Sequence, residues 1–101
     1  MENNNEVPVV VTTDTDRRGV FFGYKDDASL PADGIVTIRQ ARMCVYWSTD
    51  VRGVVGLAAK GPTDSCRITP ACELLTVNGV TSVMKCSEGA RKAWEKAPWM
   101  T

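Results

Sequence analysis

Short runs of β-branched and aromatic residues, broken repeatedly by Gly, Pro, Asp or Asn, recur along nearly the full sequence, and this punctuation constrains the fold more than any other feature. The first run, Val7-Pro8-Val9-Val10-Val11-Thr12-Thr13, reads as a strand, and Pro8 predicts that it lies at a sheet edge. Asp14-Thr15-Asp16-Arg17-Arg18-Gly19 reads as a hairpin connection into a second strand, Val20-Phe21-Phe22-Gly23-Tyr24-Lys25. Alternation sets Val20, Phe22 and Tyr24 on one face. Gly23, on the other, leaves room for another backbone or a ligand to come close. Residues 26–34 have loop composition. Residues 35–39 and 42–47 then form either two strands or one long strand bent by a bulge near Gln40-Ala41. Cys66-Arg67-Ile68-Thr69 starts a further strand. Two more, 73–77 and 80–86, flank Asn78-Gly79, the strongest short hairpin signal because both residues tolerate positive φ.

Two segments carry helical spacing instead. Val51, Val54, Val55 and Ala58 fall at i, i+3, i+4 and i+7, with Asp50 placed to cap the start and Gly61-Pro62 to stop the end. Ser87 reads as the N-cap of a second helix whose apolar face is Ala90, Ala93, Trp94 and Ala97, ended by Pro98. The tail Pro98-Trp99-Met100-Thr101 is apolar enough to dock. Residues 1–6 are polar and read as a disordered N-terminus. A chain of 101 residues supports one core rather than two, so residues 7–101 form a single domain. The expected fold is mainly β (α+β): a small, partly closed β-barrel or rolled antiparallel sheet, with a short middle helix and a C-terminal helix.

The chemistry is limited by an absence: the chain has no histidine. The commonest general base is gone, and with it Ser-His-Asp and Cys-His nucleophile pairs. Cys44, Cys66, Cys72 and Cys86 include no C-x-x-C pair, which argues against zinc. With no basic and apolar leader at Met1 to Glu6, the expected setting is cytosolic, and there four reduced thiols are expected rather than two disulfides. Phosphate-cradle and nucleophile-elbow motifs are missing. Asp26-Asp27 and the Asp14/Asp16 pair read as solvated loop charges. Neither metal nor cofactor is expected, and the chain reads as a binding protein rather than an enzyme.

No apolar run approaches the ~20 residues that span a bilayer. Zero formal net charge argues against general duplex-DNA binding, which needs a basic excess. The distribution is polarised: residues 1–34 hold three basic and seven acidic groups, and residues 35–101 hold nine and five. Such a surface binds a small anion or a second copy of the chain, unless neighbouring loops simply neutralise each other.

Gly19-Val20-Phe21-Phe22-Gly23-Tyr24, Ala41-Arg42-Met43 followed by Tyr46-Trp47, Leu57-Ala58 with Gly61-Pro62, Cys86-Ser87-Glu88 and Pro98-Trp99 occur in an order and spacing that resembles a group of short bacteriophage-encoded proteins known as a domain of unknown function. That group has a more continuous strand where Asn78-Gly79 reads here as a hairpin. By fold-level analogy the chain is also similar to Thoeris anti-defence sponges, β-rich oligomers that sequester cyclic nucleotide signals. The analogy implies a phage protein in the host cytoplasm, a homo-oligomer and a small nucleotide ligand. A sponge needs an aromatic plane for the base and arginines for the phosphates. Arg39 and Arg42 flank the strand carrying Tyr46 and Trp47, and Arg67 and Arg91 lie in the basic part. These six are the candidate ligand-binding residues. Trp47 and Trp94 read as core anchors ahead of stacking platforms, because large aromatics dominate small cores. Two other roles compete with the sponge: a protein-binding inhibitor such as an anti-CRISPR, and a virion or nucleic-acid accessory protein.

Overall fold

The computed structural model describes residues 6–13, 19–47, 53–63 and 66–97. Its first strand, β1 (Val7–Thr13), carries Val9, Val10 and Val11 consecutively, each with 0% exposure. Three adjacent buried residues on a strand require apolar cover on both faces, so β1 belongs in the middle of a sheet. It pairs antiparallel with β2 (Val20–Lys25) on one side and with β6 (Val80–Lys85) on the other. The edge position predicted from Pro8 is therefore wrong. The β6 ladder begins at Val9, one residue past the proline, and the Pro8 carbonyl still accepts a hydrogen bond from Cys86 N at 2.8 Å. The missing N–H forfeits only the reciprocal bond at the end of the ladder.

The middle of the chain is one long strand, β3 (Val36–Tyr46), bent where the bulge was expected. Gln40 adopts φ 51, and the register against β2 slips between Phe22 and Tyr24. The extra residue resets the alternation. Val36 and Ile38 face one side, and after the bulge Ala41 faces that same side while Arg42 and Cys44 turn to the other. Gly23 does permit a close approach, and Ile38 makes it: a Cβ at Gly23 would lie 2.8 Å from that of Ile38.

Beyond β3 lie β4 (Arg67–Ile68) and β5 (Cys72–Val77), both on the edge opposite β2. The sheet order is β4-β3-β2-β1-β6, with β5 also on β3. The Asn78-Gly79 hairpin does not form: β5 pairs with β3 and β6 with β1, at opposite ends of the hydrogen-bonded order. Gly79 supplies the positive φ, 67°, but for a corner rather than a hairpin. Two intervening residues span at most ~11 Å. Crossing from β5 to β6 over a flat sheet would need roughly 19 Å, four strand spacings. The sheet must curl for the chain to make that step, so it forms an open roll of six antiparallel-paired strands.

Curling buries one face inside the roll, where Val9, Val11, Val36, Ile38, Ala41 and Val80 pack together. The other face is covered by α1 (Gly53–Ala59) and α2 (Glu88–Lys96) over Val10, Val20, Phe22, Cys44 and Ile68. Trp94 of α2 is fully buried there, stacked on Phe22 at 5.1 Å, and its indole N–H donates to Leu57 O at 3.0 Å. It is a core anchor. On α1 the inward residues are Gly56, Leu57 and Ala58, with Val54 partly buried, whereas Val55 is 65% exposed. The predicted Val55 stripe is thus rotated toward Leu57, the larger side chain. The Asp50 cap, Val51, Pro98 and the docking tail lie outside the described residues.

Ser87 fastens the two helices together. Its hydroxyl accepts from Ala90 N at 3.0 Å as the predicted N-cap, and donates to Ala59 O at the end of α1 at 2.7 Å. Its own N–H donates to Ala58 O at 3.0 Å. One residue thereby satisfies orphan groups at the start of one helix and the end of another. Gly61, at φ 87, closes α1 against α2 so tightly that a Cβ there would lie 2.6 Å from Ala93 Cβ.

Candidate functional site

The six candidate residues do not converge on one place. Arg42 is buried to 5% exposure on the helix-covered face of β3. Its Nε donates to Thr69 O at 2.8 Å, Nη1 to Trp94 O at 2.6 Å and Nη2 to Ala97 O at 2.9 Å. The last two acceptors are carbonyls at the C-terminal end of α2, the negative end of its dipole. Burial pulls the Arg42 pKa below the ordinary arginine value. With its guanidinium committed to three main-chain carbonyls, Arg42 is a clamp joining α2 to the β4–β5 connection. This corrects the expectation that it grips a ligand phosphate.

Arg39 and Arg91 are occupied in other ways. Arg39 lies just before the β3 bulge and forms an ion pair with Glu6 at 3.1 Å, in which the Glu6 oxygen is buried and out of line for a hydrogen bond. Arg91 projects from α2 and pairs with Glu95 at 2.9 Å and with Glu88. The hydrogen bond to Glu88, with a further one to Tyr24, raises the Arg91 pKa. Glu95 also accepts from the Tyr24 hydroxyl, and burial together with that carboxylate pushes the tyrosine up to about 12. These charges are already neutralised locally. A cavity of 280 Å³ bounded by Phe22, Tyr24, Gln40, Arg42, Ala71 and Glu95 lies between this network and the bulge.

Tyr46 and Arg67 do come together, and Trp47 adjoins them only through the chain. Tyr46 and Arg67 are cross-strand partners of β3 and β4, and Trp47 is the residue that follows β3. Tyr46 is 50% exposed, and Arg67 is exposed with no ion pair among the described residues. Trp47 is partly buried against the helix-side core. Its remaining surface lines a cleft of 410 Å³ with Thr12, Thr13, Gly19, Val20, Val54 and Thr81. That volume is within the range of small-molecule sites.

The cleft is built by strand ends meeting at one rim of the roll: the end of β1, the start of β2, the start of β6 and the first turn of α1. Its walls are valine methyls and one indole, with threonine hydroxyls as polar points. Thr12 Oγ1 is hydrogen-bonded to Thr81 Oγ1 at 2.8 Å and to Ser82 Oγ, and Thr13 Oγ1 accepts from Gly19 N at 2.9 Å. Such a surface offers an aromatic plane and exchangeable hydroxyl donors and acceptors to a flat, polar-edged ring. The sequence reading missed these threonines. Their signal was positional: Thr12-Thr13 closes one apolar run and Thr81 follows the Asn-Gly corner, and only the curl brings them together.

Two of the four thiols have little nucleophilic character. Burial pushes both Cys44 and Cys86 up to about 12, which holds them as thiols at neutral pH. All four cysteines are free, with Cys72 exposed. Among the described residues no group of acidic or sulfur side chains is arranged to hold a metal ion, and no helix is long and apolar enough to cross a membrane.

The model of a family described as a domain of unknown function (DUF6948) matches residues 6–94, and the chain belongs to that family. No curated protein and no solved structure matches the chain.

Proposed function

For this member of the DUF6948 family, we propose a binding role without catalysis: the chain captures a nucleotide at the Trp47 end of its rolled sheet and holds it unchanged. The observation that carries this reading is the cross-strand pairing of exposed Tyr46 with Arg67, which has no ion pair among the described residues, at the strand end that leads into Trp47 and its 410 Å³ cleft. The base stacks on Trp47 within the cleft, worth about 1–3 kcal/mol, and threonine hydroxyls meet its polar edge. Arg67 supplies a charge-assisted grip on phosphate. The raised pKa values of Cys44 and Cys86 and the absence of histidine support capture over turnover. Resemblance to short phage proteins and to anti-defence sponges supports the setting, sequestration of a cyclic nucleotide immune signal in the host cytoplasm.

Thermal-shift measurements across linear and cyclic mono- and dinucleotides test the proposal, because a ligand specific to the native state must raise its stability. A nucleotide that stabilises the wild type should bind Arg67→Ala with affinity reduced roughly 10- to 150-fold, the equivalent of one charge-assisted hydrogen bond. Arg67→Ala should melt as the wild type does when no ligand is present, since its side chain is exposed. The matching nucleoside, lacking phosphate, should not distinguish the two proteins. If no nucleotide shifts the melting curve, or if binding is indifferent to both Arg67→Ala and Trp47→Phe, the reading is wrong.

A further inference from the structure

β5 is an unusual edge strand. Its sequence, Cys72-Glu73-Leu74-Leu75-Thr76-Val77, carries one charge and neither Lys nor Pro, the residues that normally blunt an edge. One side of it pairs with β3, and among the described residues no strand occupies the other. Leu74 is 58% exposed, and Cys72, Glu73 and Thr76 are exposed as well. The apolar surface continues past the strand. Leu74 lines a groove of 310 Å³ with Pro31, Ile35 and Tyr24, and Leu30 and Ile35 are 45% and 47% exposed.

We propose that β5 pairs antiparallel with the β5 of a second copy across a two-fold axis at Leu74, joining two rolls through one continuous sheet edge. An antiparallel ladder between identical strands places its axis on a residue, because opposed residues must share the same hydrogen-bonding parity. With the axis at Leu74, that side chain meets its own counterpart, Cys72 lies opposite Thr76, and Glu73 lies opposite Leu75. The single charge on the strand never faces its copy, so the pairing carries no like-charge penalty. The outward face of the new seam is Cys72, Leu74 and Thr76 from each chain, all of them exposed in the single copy. At long range the chain's formal net charge is zero, so two copies approach without electrostatic work. This favours a second copy over a charged peptide as the occupant. Five paired residues, Cys72 to Thr76, extend about 17 Å, which buries less than a standard interface and fits a weak pair with a dissociation constant on the order of tens of micromolar.

Sedimentation velocity from roughly 5 to 200 µM, a range that brackets such a constant, should show a monomer–dimer equilibrium. Added salt should leave it unchanged, whereas a dimer built on the opposite charges of the two halves weakens with salt. Leu74→Lys should be monomeric throughout while keeping the wild-type circular dichroism spectrum, since this position is exposed. The register is read by cross-linking. Thr76→Cys places a thiol opposite Cys72 of the other copy, and mild oxidation should give a covalent dimer that adding Cys72→Ser abolishes. In the wild type the two Cys72 residues lie about 13 Å apart, four residue steps, and should not cross-link. A wild-type protein that stays monomeric at 200 µM overturns the proposal. So does a dimer that weakens with salt, survives Leu74→Lys, or fails to cross-link through position 76.

Discussion

Replacing Arg42 by alanine should destabilise the protein without touching ligand binding. The guanidinium closes three hydrogen bonds at 2.6 to 2.9 Å, one to a buried carbonyl of Trp94 and two to partly buried carbonyls of Thr69 and Ala97. A charge-assisted hydrogen bond contributes about 1.5–3 kcal/mol net, and an acceptor left buried without a partner costs about 1–3 kcal/mol. Water can reach the two partly buried carbonyls once the side chain is cut back. Removing the arginine also relieves the cost of burying its charge. The balance is a loss of about 3 kcal/mol, which for a chain of this length corresponds to a fall in Tm of roughly 12–24 °C. Urea unfolding followed by tryptophan fluorescence measures it. Arg42→Lys should recover only part of the loss, since one ammonium on a flexible stem cannot serve three carbonyls in a fixed fork. An Arg42→Ala protein within about 1 kcal/mol of the wild type, or a lysine variant equal to it, would refute the clamp.

Gly61→Ala should cost about 2–4 kcal/mol by urea unfolding, because a left-handed backbone penalty adds to a Cβ placed 2.6 Å from that of Ala93. Gln40→Gly should leave stability unchanged or raise it by up to about 1 kcal/mol, since glycine occupies φ 51 freely, while Gln40→Val should lose at least that much. Alkaline pH should destabilise the fold through its buried thiols. Cys86 is held up to about 12 against an ordinary value of 9.0, so its contribution is complete below pH 9 and is lost as pH rises from there toward 12. Urea midpoints should therefore fall across that window, and less steeply for Cys86→Ala.

Elements that depend on local chemistry were legible in the sequence. Ser87 caps α2 as its hydroxyl and position required, the β3 bulge falls at Gln40, and the mainly β roll with two helices follows from the order of runs and turn residues. What the sequence hid is non-local. Pro8 suggested an edge because a proline cannot donate to two ladders, yet the β6 ladder starts one residue later. Asn78-Gly79 supplied the dihedral freedom of a hairpin, but the same freedom serves a corner, and only the pairing of β5 with β3 and β6 with β1 decides between them. Arginine identity likewise says nothing about whether the charge meets carbonyls, carboxylates or solvent. Arg42, Arg91 and Arg67 ended in those three environments respectively.

Capture without turnover is tested most directly by recovering the ligand. The protein is saturated with a nucleotide that raises its Tm, freed of excess by gel filtration, held for several hours and then heat-denatured, and the released material is identified by mass spectrometry. The account predicts one chemically unchanged nucleotide per Trp47 cleft from the wild type, and a proportionate loss of recovery from Arg67→Ala. A cleaved or otherwise altered nucleotide, or equal recovery from the two proteins, would contradict it.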